Sequence, residues 1–258
     1  MPRTTMVATV LTCLTLTAAC GASDPDTQAT GPAAATSSVP AATTAVTPTT
    51  PASELEGLSA AQVWKKLETD VAKAKSVHVV MSAVDGKKPI KFDLKLSTSG
   101  KAQGTMALEG GTITMRRIGK VLYYKADRAF YTKNADAETA KLMAGRWIQT
   151  SKGADKDMDE MFSLTYLGPM LKESLKMTAS EKKSLKRVPG KEIEGQETVG
   201  LRTNSKELDT LYASATGPTL PLYVTAAKSK TEYVKFQDWN QDFSVTKPAD
   251  AMNLDKAK

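Results

Sequence analysis

Between Gly21 and Ser53 the chain carries no Lys, Arg, aromatic residue, Leu or Ile. Outside Ala, Gly, Pro, Ser and Thr this stretch holds only Asp24, Asp26, Gln28, Val39 and Val46. Such a segment cannot bury enough apolar surface to offset its ordering entropy, so it is expected to be a disordered tether. At roughly 5–6 Å × √n its end-to-end distance is about 30 Å. The candidate for a packed domain therefore lies after it. Residues 54–258 are long enough for one hydrophobic core. They contain no cysteine, since Cys13 and Cys20 both precede the tether. Disulfide staples, thiolate chemistry and Cys-based metal sites are thereby excluded from the domain.

The first 20 residues have the plan of an export signal. Arg3 supplies a positive start, Met6–Leu16 an apolar stretch too short to span a bilayer as a helix, and Thr17-Ala18-Ala19 small residues ahead of Cys20-Gly21. The run into Cys20 resembles the lipobox of bacterial lipoproteins, whose cysteine receives a diacylglyceryl group and becomes the mature N-terminus. That motif prefers Leu three residues before the cysteine, where this chain has Thr17, with Leu16 one step earlier. The resemblance implies a signal peptide over 1–19, a lipidated Cys20 opening the tether over 20–53, and a membrane anchor on the extracytoplasmic face. The other reading is an ordinary secretory signal with an incidental Cys20.

Residues 54–258 hold 34 of the 35 basic residues and 26 of the 28 acidic ones. Only seven of the basic residues in the chain are Arg. Nucleic-acid readers rely on Arg forks and interleaved aromatics, so no nucleic-acid partner is expected. A Lys-coated surface serves solubility or faces anionic lipid.

Ser59 is a candidate N-cap, and Val63, Trp64, Leu67 and Val71 recur at helical spacing over 59–75. After Lys75 the period becomes two, with strands predicted at 77–82, Lys91–Leu96, Gln103–Leu108, Thr112–Ile118 and Lys120–Lys125. The middle of the chain reads as helical: a short helix over Ala135–Ala144, then Gly145-Arg146-Trp147-Ile148 turning into a strand. A helix over Asp155–Leu167 places Met158, Met161, Phe162 and Thr165 on one face. Gly168-Pro169 is expected to break the helix, with Pro169 in the first turn of another reaching Met177. Strands are predicted again at 185–193, 197–203, 219–227, 231–238 and 242–246. Helices segregated to one side of an antiparallel sheet make an α+β fold, and about ten strands in one twisted sheet tend to curl.

Several segments resemble the LolA-like lipoproteins, in particular the LprG/LppX-type lipoproteins of actinobacteria. They are Ser76-Val77-His78-Val79 after the first helix, Val121-Leu122-Tyr123-Tyr124, Gly145-Arg146-Trp147-Ile148 and Gly195-Gln196-Glu197-Thr198-Val199-Gly200-Leu201. Leu220-Pro221-Leu222-Tyr223 and Phe236-Gln237-Asp238-Trp239-Asn240 with Pro248 complete the set, in order across 59–250. The resemblance implies a strongly curved antiparallel half-barrel with helices across its concave face. It also implies a non-enzymatic, monomeric, membrane-anchored protein that binds an acylated lipid and carries or presents it in the cell envelope. The alternative is a surface binding or signalling lipoprotein with a filled core and a protein or cell-wall partner.

Period two in the strands and spacings of three and four in the helix select a candidate cavity lining. On the sheet these are Phe92, Leu94, Leu96, Met106, Leu108, Ile113 and Met115; on the helical side they are Met158, Met161, Phe162 and Leu167. No catalytic constellation accompanies them. His78 is the only histidine, so Ser–His–Asp and His-rich metal patterns have nothing further to draw on. Ser180-Glu181-Lys182-Lys183 matches Ser-x-x-Lys, but the companion Ser-Asp-Asn and Lys-Thr-Gly motifs are absent. Asp155, Asp157, Asp159 and Glu160 lack EF-hand spacing and fit a charged helix start. No cofactor is expected.

Overall fold

The computed structural model describes residues 54–85, 88–108, 110–151, 162–205, 208–227 and 229–253. Ser59 caps helix α1 (Ala60–Val71) with a capping box. Its hydroxyl accepts from the Gln62 amide, and the Gln62 side chain accepts in turn from the Ser59 amide at 2.8 Å. Val63, Trp64, Leu67 and Val71 form the buried stripe, as their spacing predicts.

Five strands follow as a meander: β1 (Ser76–Asp85), β2 (Lys88–Ser97), β3 (Lys101–Leu108), β4 (Gly111–Ile118) and β5 (Val121–Ala126). Two short helices, α2 (Arg128–Asn134) and α3 (Ala137–Met143), lead to β6 (Ile148–Ser151). A helical turn at 162–164 precedes α4 (Leu167–Ser174) and α5 (Ala179–Ser184). The second meander is β7 (Lys186–Val188), β8 (Thr198–Arg202), β9 (Leu208–Ser214), β10 (Pro221–Ala226) and β11 (Tyr233–Gln237), with β12 (Met252–Asn253) last.

All twelve strands among the described residues join one open, curved sheet in the order β12-β6-β5-β4-β3-β2-β1-β11-β10-β9-β8-β7. The pairings are antiparallel except β12 with β6. The α+β class and the curved sheet therefore stand, while the strand number rises from about ten to twelve.

Three rows of directly opposed residues carry the inner face, because opposed residues share one side of a sheet. One row runs Phe236, Val79, Leu94, Gly104, Met115, Tyr124, Ile148 across seven strands. The next runs Val77, Leu96, Ala102, Arg117, Leu122, Thr150. The third runs Leu201, Leu211, Val224, Val234, Met81, Phe92, Met106, Ile113, Ala126. Residues of all three rows belong to one core cluster with Val63, Trp64, Leu67, Tyr131, Phe162, Leu167 and Leu171 from the helical side.

Two glycines allow close approach. A Cβ at Gly104 would lie 1.9 Å from the Asp93 carbonyl oxygen, so only glycine fits that point of β3. A Cβ at Gly111 would meet the Phe130 backbone at 2.5 Å, so its absence lets α2 lie against β4.

Several boundaries differ from the sequence reading. The helical break falls at Thr165-Tyr166, and Gly168 and Pro169 sit inside the first turn of α4, whose N-cap is Tyr166. Residues 242–246 form no ladder; Lys101 and Arg116 side chains donate to the carbonyls of Phe243 and Thr246 instead. Helices α2 and α5 and strands β9 and β12 are additional. Most of the predicted Asp155–Leu167 helix lies outside the described residues.

Candidate functional site

The predicted lining residues on β2, β3 and β4 meet on the inner face. Leu94, Leu96, Met106, Ile113 and Met115 are buried there, and Phe92 and Leu108 pack at the margin of the same cluster. Phe162 and Leu167 reach the cluster from the helical side and are also buried. Met158 and Met161 lie outside the described residues.

One residue of this face breaks its apolar character. Arg117 is 1% exposed and stands in its row between Ala102 and Leu122. Its Nε and Nη2 donate to the Thr165 carbonyl oxygen at 3.2 and 2.8 Å, and Nη1 donates to the Gly119 carbonyl at 2.9 Å. The guanidinium lies 3.9 Å from the centre of the Tyr166 ring. Among the described residues no carboxylate pairs with it. Burial pulls its pKa below the ordinary value, with Tyr166 opposing the shift. A buried charge is tolerated when its donors are used, and here two of them hold the break between the 162–164 turn and α4. The strand alternation already aligned Arg117 with Ile113 and Met115; that was the signal for it.

Tyr131 of α2 is a second polar intrusion. Its ring is buried in the cluster, and its hydroxyl is buried with no hydrogen-bond partner among the described residues. Burial first, with Tyr124 adding to it, pushes its pKa up to about 12.

His78 points to the opposite face. Its Nε2 lies 2.8 Å from Asp93 Oδ1, and Gln237 Nε2 lies 2.8 Å from its Nδ1. Asp238 Oδ2 is 3.3 Å from Nδ1 and accepts from Lys95 at 3.2 Å. Burial pushes the Asp238 carboxyl up, but Lys95 and His78 outweigh it and hold its pKa below the ordinary value. These contacts fasten β1, β2 and the end of β11. The turn after β11 continues the fastening: Trp239 Nε1 donates to the Pro221 carbonyl at 2.9 Å, and Asn240 Oδ1 accepts from the Lys75 amide at 2.8 Å. Ser180 and Lys183 are exposed on α5, where Thr178 and Glu181 form a capping box.

Two open cavities lie on the outer face. One, of about 420 Å³, is lined chiefly by Val80, Ser82, Lys91, Asp93 and Thr105. The other, of about 480 Å³, lies among Tyr223, Tyr233, Lys191, Glu194 and Lys235. Beside it Lys191 Nζ sits 4.4 and 4.7 Å from the rings of Tyr212 and Tyr223. Among the described residues no group of three or more His, Cys, Asp or Glu is placed to hold a metal ion. No described helix is long and apolar enough to cross a membrane.

Several solved structures of bacterial proteins are similar to this chain. The chain resembles LprF and LppX. LprF of Mycobacterium bovis aligns at 14% identity over 74% of this chain and 97% of that one, with a TM-score of 0.49. The lipoprotein LppX of Mycobacterium tuberculosis aligns at 13% identity over 72% and 98%, with a TM-score of 0.45. A LolA superfamily protein of Nitrosomonas europaea aligns at 10% identity over 72% and 96%, with a TM-score of 0.22. No protein-family model and no curated protein matches the chain.

Proposed function

We propose that this chain is an envelope lipoprotein that binds lipid acyl chains without catalysing a reaction. In this reading residues 1–19 direct export, and Cys20 takes the diacylglyceryl group. Residues 20–53 tether the domain to the extracytoplasmic face of the membrane. Residues 54–258, as a monomer, take up an acylated lipid and carry or present it. The sequence resemblance to LolA-like lipoproteins supports the reading.

One structural observation carries it. The inner face is apolar across many strands, yet the cover over it is held at Thr165 by hydrogen bonds from a buried arginine. Packing alone would not call for a cation there. A polar latch can be released and remade, and a carrier needs that to load. Each methylene that enters such an interior gains about 0.8 kcal/mol, and the Tyr131 hydroxyl, without a partner among the described residues, offers a donor to an ester or headgroup oxygen.

The second reading, a surface binding module, draws on another observation. The described lining residues are packed into the core, and the two cavities above open on the outer face. Native mass spectrometry of the full chain carrying Cys20→Ser separates the two. Carriers retain lipid adducts or extract them from vesicles. A folded protein that does neither is a surface module. Fatty-acid labelling that is present in the wild-type chain and lost in Cys20→Ser tests the anchor.

A further inference from the structure

We propose that the surface formed by α3, the turn into β6 and the outer side of β4 and β5 docks on an anionic lipid bilayer. The proposal rests on the envelope reading above and adds which face of the domain meets the membrane. Trp147 is its centre. Arg116 Cζ lies 4.9 Å and Lys125 Nζ 5.2 Å from the indole ring, so the half-buried ring is flanked by two cations from adjacent strands. The Gly145 amide donates to the Ala126 carbonyl at 2.8 Å, which brings the turn bearing exposed Arg146 to the end of the strand bearing Lys125. Just before that turn, Leu142 is 61% exposed, the largest value among the exposed large hydrophobic residues described.

Among the described residues the charges on these elements are not balanced. None of Arg116, Lys125, Arg128, Lys141 and Arg146 forms an ion pair among the described residues. Arg116 also donates to the Thr246 carbonyl, which leaves its charge uncancelled. Of the carboxylates nearby, Asp127 and Asp136 are engaged as N-caps of α2 and α3, and Glu138 lies in the first turn of α3. An indole with an apolar body and a polar edge settles at the headgroup level of a bilayer. Flanking Lys and Arg side chains lay their stems on the ring and reach for phosphates. The exposed Leu142 on α3, five residues before Trp147, gains burial in the acyl boundary. Anionic lipid is the partner that uses all three at once.

The test follows Trp147 in the full chain mixed with vesicles whose acyl chains carry bromine. Subtracting the emission of Trp147→Phe isolates this tryptophan from Trp64 and Trp239. With vesicles containing phosphatidylglycerol, Trp147 is expected to shift to the blue and be quenched, and high salt to reverse both changes. With pure phosphatidylcholine neither change is expected. Replacing three charges (Arg116→Gln, Lys125→Gln, Arg146→Gln) should lower the docked-to-free ratio roughly a hundredfold, at about fivefold per charge. The single surface change Leu142→Glu should act in the same direction, with circular dichroism unchanged in both variants. Equal quenching by neutral vesicles overturns the proposal. So does an unquenched Trp147 with phosphatidylglycerol, which would leave the face to a protein partner. Co-sedimentation in that case tells whether membrane anchoring fails as well.

Discussion

Arg117 gives two of its donors to a single acceptor, the carbonyl oxygen of Thr165, at 3.2 and 2.8 Å. A buried strand residue thereby holds the backbone where the 162–164 turn ends and α4 begins. Arg117→Met keeps an apolar stem and removes the donors. Because a buried charge leaves together with its bonds, global stability should move little. The Thr165 carbonyl loses its guanidinium partners, and peptides covering 162–170 should exchange amide hydrogens about tenfold faster, the equivalent of roughly 1.4 kcal/mol. Peptides from β3 serve as the unchanged reference. Equal exchange in 162–170 would mean that packing alone holds the cover.

Tyr131→Phe should stabilise the lipid-free protein. The hydroxyl is buried without a partner among the described residues, and removing such a group recovers about 1 kcal/mol, or roughly 2–4 °C in Tm for a domain of this size. A fall in Tm would show that the hydroxyl is satisfied in solution.

Gly104→Ala tests the close approach inside the sheet. The added Cβ has no room beside the Asp93 carbonyl, so β2 and β3 must separate locally, at a cost of about 3 kcal/mol. A chemical denaturation curve with unchanged midpoint would show that the strands can yield there.

Asp70 gives the fold an acid-sensitive tie. Its carboxylate accepts from the Thr219 amide at 3.0 Å, from Lys66 at 3.1 Å and from Lys73 at 3.4 Å, joining α1 to the turn before β10. Burial pushes its pKa up, yet the Thr219 amide and the Lys66 ammonium outweigh it and hold the carboxyl below its ordinary value. The folded-state pKa is thus the lower one. The contribution is complete above the unfolded-state value and is lost as pH falls through the folded-state value. Asp70→Asn should cost about 2 kcal/mol at neutral pH, and the gap to wild type should close in acid. A gap independent of pH would mean that the carboxylate's charge contributes nothing.

The sequence made the sheet legible where alternation was strict. From Lys91 to Ile118 each strand shows one wet and one dry face, and the register reproduces that division. It hid β9 because Leu208, Leu211 and Ala213 do not keep period two, and Ala213 is small. Residues 242–246 alternate, but their carbonyls are used by Lys101 and Arg116 side chains, which no local pattern encodes. Helix α5 buries no residue and so has no periodic stripe, although its Thr178-x-x-Glu181 box was a readable start signal. The two-residue pairing of β12 with β6 joins segments far apart in sequence and leaves no local trace. On the candidate site, alternation selected the inner-face residues. It also aligned Arg117 with them, so the charge on the dry face of β4 is legible from the same pattern.

The strand order has a consequence for how the molecule assembles. Strands β1 to β6 each pair with a sequence neighbour, and so do β7 to β11, while β1 and β11 join residues as distant as His78 and Gln237, 159 positions apart. Apart from the two-residue contact of β12 with β6, the sheet is two ribbons of sequence-neighbour strands sewn along one line. Local hairpins form early and cheaply in loop entropy, whereas the sewing must close a long loop. Refolding kinetics should therefore give higher φ-values for substitutions between β2 and β3 than for Val79 or Phe236 on that line. Trp239 and Asn240 then act as the knot at the end of the thread, securing a join that the chain reaches last.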